Sequence, residues 1–247
     1  MFFTKPKKLD ECIVYGVENP ESRQGKTELC WVAANEYALR GYRTAILDWD
    51  QVNPEAGDPV ISGYVQHDIP LPFMVFDLST WKDQYLDDLD ILLVDGSRDP
   101  GLGLQEMLKT HCHGVIVPIR DDRGYRRGIQ FAQDVSAARM PLFFITNEYP
   151  EDISERMTGI AHAYGACREV GKDYGLHLRY IPKLDGLHEM VSNGRLPQHD
   201  HKYAHIQEAG RQLVNALEQW QSDLRYKTER EMQAEEEEKS VLRAVRS

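Results

Sequence analysis

No stretch of the chain approaches the roughly 18 consecutive apolar residues that a membrane-spanning helix needs. Met1 to Lys8 likewise lacks the apolar core of a secretory signal. Cysteine is scarce: Cys12, Cys30, Cys112 and Cys167 are widely spaced and form no CxxC pair. Two of them fall in apolar patterns and read as small core residues, so neither a disulfide framework nor a zinc ribbon is indicated. A reduced, cytoplasmic compartment is the expectation. Positive charge is also short, with 29 Lys and Arg against 40 Asp and Glu and a formal net charge of −11. That excludes a surface coated for general nucleic-acid binding but leaves room for a local basic patch. No serine stands in a nucleophile-elbow context, so acyl transfer has no support.

What is present suffices for one sizeable core: 247 residues, 41% of them hydrophobic. We expect one domain over 1–222 and a charged tail over 223–247, where the run Glu235–Glu238 lies and large apolar residues are few. The tail reads as a solvated helix or a disordered segment, with a partner-binding helix as the sharper alternative. Short apolar runs at 12–17, 44–48, 73–78, 91–95, 115–119, 142–146 and 178–181 read as strands. Helical patterns cover 27–40, 128–138, 151–174 and 203–220. Residues 52–72 are rich in proline and glycine and read as loop. Strands alternating with helices imply a doubly wound, mainly parallel α/β sheet with helices on both faces.

Chemistry concentrates where the strands end. The run Cys12–Val17 leads into the polar loop 18–24 and then Gly25-Lys26-Thr27, with a helical pattern following. This is the strand–loop–helix context of a phosphate-binding loop. Gly25 lets backbone approach a phosphate, Lys26 can reach the β- and γ-phosphates, and Thr27 can place its hydroxyl on Mg²⁺. Glu28 is the next residue of the candidate nucleotide set. The alternative is an ordinary loop capped by Thr27. Asp48 and Asp50 close the second strand, Asp95 closes the fourth, and Asn147 follows the sixth. In a doubly wound sheet all fall at the ligand-binding edge. Each has a plainer reading: strand-end caps for Asp48 and Asp50, turn residues for Asp95 and Asn147.

Five places in this order resemble the ParA/MinD family of P-loop ATPases: 25–27; Arg40 to Gln51, with Asp50 24 residues beyond Lys26; Leu92 to Asp95; Gly114 to Ile119; and Ile181-Pro182 with Leu187–Met190 and Asn193–Arg195. The resemblance spans about residues 11 to 220. It implies an ATPase with ATP and Mg²⁺ as cofactors, nucleotide-dependent homodimerisation, and a role in plasmid or DNA partition or in positioning a cellular structure. It further implies roles for single residues. Lys26 would neutralise the β/γ oxygens, and Thr27, Asp48 and Asp95 would serve the metal. Asp50 would orient the attacking water, and Asn147 would meet the adenine edge.

The loop departs from the family. Pro20 replaces the first glycine of the full phosphate-loop pattern. Glu21 occupies the position of the family's signature lysine, and Ser22 and Arg23 replace two glycines. A non-hydrolysing adaptor of the same fold is therefore the rival reading, and a small-molecule phosphotransferase a third. Arg120, Arg123, Arg126 and Arg127 form the densest basic patch, either a solvated loop or a contact for DNA or an acidic partner. His111-Cys112-His113, and His188 with His199, His201 and His205, are weak metal candidates without zinc spacing.

Overall fold

A computed structural model of the chain describes residues 11–49, 71–96, 102–136, 140–149 and 179–246. The apolar runs become strands β1 (Ile13–Val17), β2 (Thr44–Asp48), β3 (Met74–Asp77), β4 (Ile91–Asp95), β5 (Gly114–Ile119), β6 (Leu142–Tyr149) and β7 (Arg179–Pro182). They pair in the order β3-β2-β4-β1-β5-β6-β7, every pairing parallel. Between them run helices α1 (Lys26–Leu39), α2 (Leu102–His111) and α3 (Asp122–Ser136), and after β7 come α4 (Leu187–Ser192) and α5 (Ala204–Arg246). The doubly wound architecture expected from the sequence is the one observed.

Parallel strands buried on both faces carry apolar side chains in both directions. Along β1, Tyr15 and Val17 join one core while Val14 joins the other. Ile46, Leu93, Ile116 and Phe143 face the first core, and Leu47, Leu92, Val115 and Phe144 the second. The first core is covered by α1, α4 and α5, through residues such as Trp31, Met190, Leu213 and Trp220. The second is covered by α2 and α3, through Leu104, Leu108, Ile129 and Phe131. Each large side chain so buried is worth about 1.5–3 kcal/mol in transfer free energy.

Helix α1 lies between the sheet and α5, which is why Leu29 to Tyr37 are buried all round rather than along one stripe. Gly210 of α5 packs on the Val32 carbonyl, where a Cβ would come within 2.8 Å. Arg40 at the end of α1 bonds Glu36 at 2.9 Å, Glu218 at 2.8 Å and Asn215 at 2.7 Å, fastening α1 to α5.

Three elements differ from the sequence reading. β6 runs on to Tyr149, so Asn147 lies inside the strand rather than after it. α3 begins at Asp122, so Arg123, Arg126 and Arg127 sit on helical turns instead of a loop. α5 continues unbroken past Trp220 to Arg246, about 65 Å at 1.5 Å per residue. The helix α2 was not anticipated. The expected helix at 151–174 and nearly all of the expected loop at 52–72 lie outside the described residues. No helix among the described residues is long and apolar enough to cross a membrane.

Candidate functional site

β1 ends at Val17, and its parallel partner β4 ends level with it at Asp95, as β2 does at Asp48. The register therefore sets the Asp48 and Asp95 backbones side by side. Just past β1, Glu18 is completely buried, and a Cβ on Gly96 would collide with its carboxylate. Glu18 thus packs beside Asp95. The sequence reading passed over it as loop, although an acid directly after a central strand is a signal at this edge.

The loop then crosses to α1. Gly25 takes a left-handed backbone with φ of +80°, and a Cβ there would strike the Asn147 amide. The same absent Cβ would lie 2.7 Å from Glu28 Oε2, so Gly25, Glu28 and Asn147 adjoin. Asn147 Nδ2 donates to the Gln24 carbonyl at 2.8 Å, while its Oδ1 is buried with no hydrogen-bond partner among the described residues.

Two buried amides, also passed over by the sequence reading, clamp the loop onto the β5–α3 turn. Asn19 Nδ2 donates to the carbonyls of Pro118 at 2.8 Å and Gly124 at 2.9 Å, and its Oδ1 accepts from the Glu21 backbone N–H. Gln24 Oε1 accepts from the Arg120 backbone N–H at 2.8 Å, and Gln24 packs where a Gly124 side chain would be. The turn carrying Arg120 and the start of α3 carrying Arg123 are therefore locked to the loop, and both arginines are exposed.

Lys26 and Thr27 open α1, 8% and 9% exposed. Lys26 Nζ donates to the Asn19 carbonyl at 2.8 Å and reaches the Glu21 carbonyl at 3.4 Å. Thr27 Oγ1 donates to Asp95 Oδ2 at 2.5 Å. Below them Cys30 is fully buried. Burial first, then the Asp95 and Asp48 carboxylates, drive its thiol pKa well up; Lys26 opposes this and Glu18 adds to it.

Of the residues singled out in sequence, Gly25, Lys26, Thr27, Glu28, Asp48, Asp95 and Asn147 come together here, and Asp50 lies outside the described residues. Among the described residues no group of three or more His, Cys, Asp or Glu side chains is placed to hold a metal by itself. His113 Nδ1 instead accepts from the Val14 backbone N–H at 3.1 Å, and His205 Nε2 bonds the Asp185 carbonyl at 2.8 Å. A hydroxyl with one or two acids suits Mg²⁺, which keeps water and takes phosphate oxygens alongside few protein ligands.

No protein-family model and no curated protein matches the sequence. Solved structures do match in shape. An McdA–ATP complex from Cyanothece superposes with a TM-score of 0.58 at 12% identity, over 84% of this chain and 96% of that one. MinD of Aquifex aeolicus gives 0.56 at 15% identity, over 83% and 98%. The pnob8 ParA gives 0.58 at 12% identity, over 84% and 99%. At such identities the likeness establishes the architecture: this chain has the fold shared by McdA, ParA and MinD.

Proposed function

We propose that this chain is a nucleotide-dependent switch of the ParA/MinD type that binds Mg²⁺–ATP over Gly25–Thr27. The observation that carries the reading is the Thr27–Asp95 contact beside Lys26, at the strand ends where a doubly wound sheet binds its ligands. Lys26 exchanges its two loop carbonyls for β/γ-phosphate oxygens. Thr27 and Asp95 serve Mg²⁺, with Asp48 in support, and Asp50 orients the attacking water. Gly25, Glu28 and Asn147 line the nucleotide, the buried Asn147 Oδ1 being an acceptor suited to an amino group. Mg²⁺ supplies charge neutralisation at the phosphates. Water attack on the γ-phosphorus releases ADP and phosphate.

ATP binding would bias the chain toward a homodimer in the cytoplasm, and a partner protein would trigger turnover. The output would be DNA or plasmid partition, or the placing of a cellular structure. Arg120, Arg123, Arg126 and Arg127 offer DNA phosphates a local basic face. A second reading, a non-hydrolysing adaptor, is favoured by Pro20 and Glu21 in the loop and by a Lys26 engaged by backbone carbonyls.

Mg²⁺–ATP affinity and hydrolysis, compared between wild type, Lys26→Ala and Asp50→Ala, test both readings. The switch requires binding that Lys26→Ala abolishes and turnover that Asp50→Ala slows at least a hundredfold. Equal affinity in wild type and Lys26→Ala refutes the site. Binding without turnover, with DNA and partner present, selects the adaptor.

A further inference from the structure

Among the described residues, Arg23 is the one residue other than glycine with a left-handed backbone, at φ +59°. A side chain with a Cβ is disfavoured there, and glycine would fit without strain. Arg23 lies in the middle of the loop, two residues before Gly25. Its side chain is exposed and makes no hydrogen bond or ion pair among the described residues. Its carbonyl is held instead, accepting from Arg120 Nη1 at 3.3 Å. The buried Asn19 and Gln24 amides on either side fix the loop in this conformation. Tertiary contacts thus hold an arginine where its backbone is strained and its charged end is uncommitted, a pattern that points to function.

Charge gives the direction. Asp48 ends its strand level with Asp95, Glu18 packs against Gly96, and Thr27 beside Lys26 bonds Asp95, so three carboxylates lie at this edge against the one lysine. A triphosphate arriving with one divalent ion needs further positive charge at the loop rim. Arg23 and Arg120 bring two guanidinium groups to that rim, in contact through the Arg23 carbonyl.

Resting on the nucleotide reading above, we propose that Arg23 reads the terminal phosphate: its guanidinium engages the γ-phosphate oxygens of a nucleoside triphosphate held over Gly25–Thr27. Arg120 positions the loop from which Arg23 acts. The planar fork of arginine suits two phosphate oxygens at once, which lysine cannot match.

The test compares wild type, Arg23→Gly, Arg23→Lys and Lys26→Ala for Mg²⁺–ATP and Mg²⁺–ADP affinity by calorimetry, with thermal unfolding alongside. Arg23→Gly should keep or raise the Tm by a few degrees, because it relieves the backbone. It should also lower the ratio of ATP to ADP affinity about tenfold, and Arg23→Lys should recover part of that ratio. An unchanged ratio in Arg23→Gly, or equal loss of ATP and ADP binding, overturns the role of Arg23. If wild type binds ATP and Lys26→Ala does not, that failure leaves the nucleotide site standing. A wild type that binds no ATP overturns both.

Discussion

Thr27 Oγ1 donates to Asp95 Oδ2 at 2.5 Å, joining the first turn of α1 to the end of β4 across 68 positions of sequence. Both side chains are buried, and one is a carboxylate, so the bond is charge-assisted and short. Thr27→Ala should destabilise the chain by about 1–3 kcal/mol, since Asp95 loses a buried donor. On the proposed function it should also raise the Mg²⁺ concentration needed for nucleotide binding, whereas Thr27→Ser retains both properties. Urea denaturation and a Mg²⁺ titration read the two effects separately.

The amide clamp makes a second prediction. Asn19 is fully buried and supplies donors to two carbonyls that flank the β5–α3 turn. Asn19→Ala leaves the Pro118 and Gly124 carbonyls without those donors and opens a small void, costing about 2–4 kcal/mol. Hydrogen exchange in Arg120–Gly124 should accelerate in the variant. Exchange unchanged from wild type would mean that the loop and turn are not coupled.

At the opposite edge of the sheet, Asp90 is wholly buried and Arg43 grips it by three bonds, from its backbone N–H at 2.8 Å and from its guanidinium at 3.0 Å twice. Arg43→Met removes the guanidinium and leaves a buried carboxylate with the backbone donor. A loss of about 3 kcal/mol is expected, as when one partner of a buried pair is removed. The double variant Arg43→Met/Asp90→Asn should recover much of it, which chemical denaturation of the four proteins would measure.

The thiols set a pH dependence. Burial, with Asp90 adding to it, pushes Cys12 up to about 12, and burial does the same to Cys112. A raised folded pKa contributes stability that is fully present below the unfolded thiol value, about 8.5. That stability is lost as pH rises from there through about 12. The folded protein should therefore lose stability on the alkaline side, and Cys12→Ser/Cys112→Ser should flatten the loss between pH 9 and 11. At pH 8 the buried Cys12 thiol should be alkylated many times more slowly in the native chain than in urea, as site-resolved mass spectrometry would record.

The last helix predicts where the chain can be shortened. Leu213, Val214, Leu217 and Trp220 are buried, Gln221 is 9% exposed, and Leu224 packs on the core, while Tyr226 is 63% exposed. A chain ending at 227 should keep its Tm within about 2 degrees. One ending at 218 loses Trp220, which stacks on Tyr15 at 6.2 Å, and should not fold stably. Thermal unfolding of both truncations checks the proposed boundary between the domain and its charged tail.

The sequence by itself determined the strands and their order of appearance, because short all-apolar runs have few alternatives to a sheet covered on both faces. It also marked Gly25–Thr27, Asp48, Asp95 and Asn147, since a doubly wound sheet brings strand ends to one edge. It did not reveal α2, the helical setting of the arginines, or the reach of α5, whose charged composition suits a solvated helix and a disordered tail equally. Nor did it single out Glu18, Asn19 or Gln24, which read as ordinary loop polarity. Only the tertiary structure buries them, and burial turns an unremarkable amide or acid into an obligatory partner. The strain at Arg23 belongs to the same class: a residue's type does not dictate its φ, and contacts with residues about 100 positions away hold it left-handed.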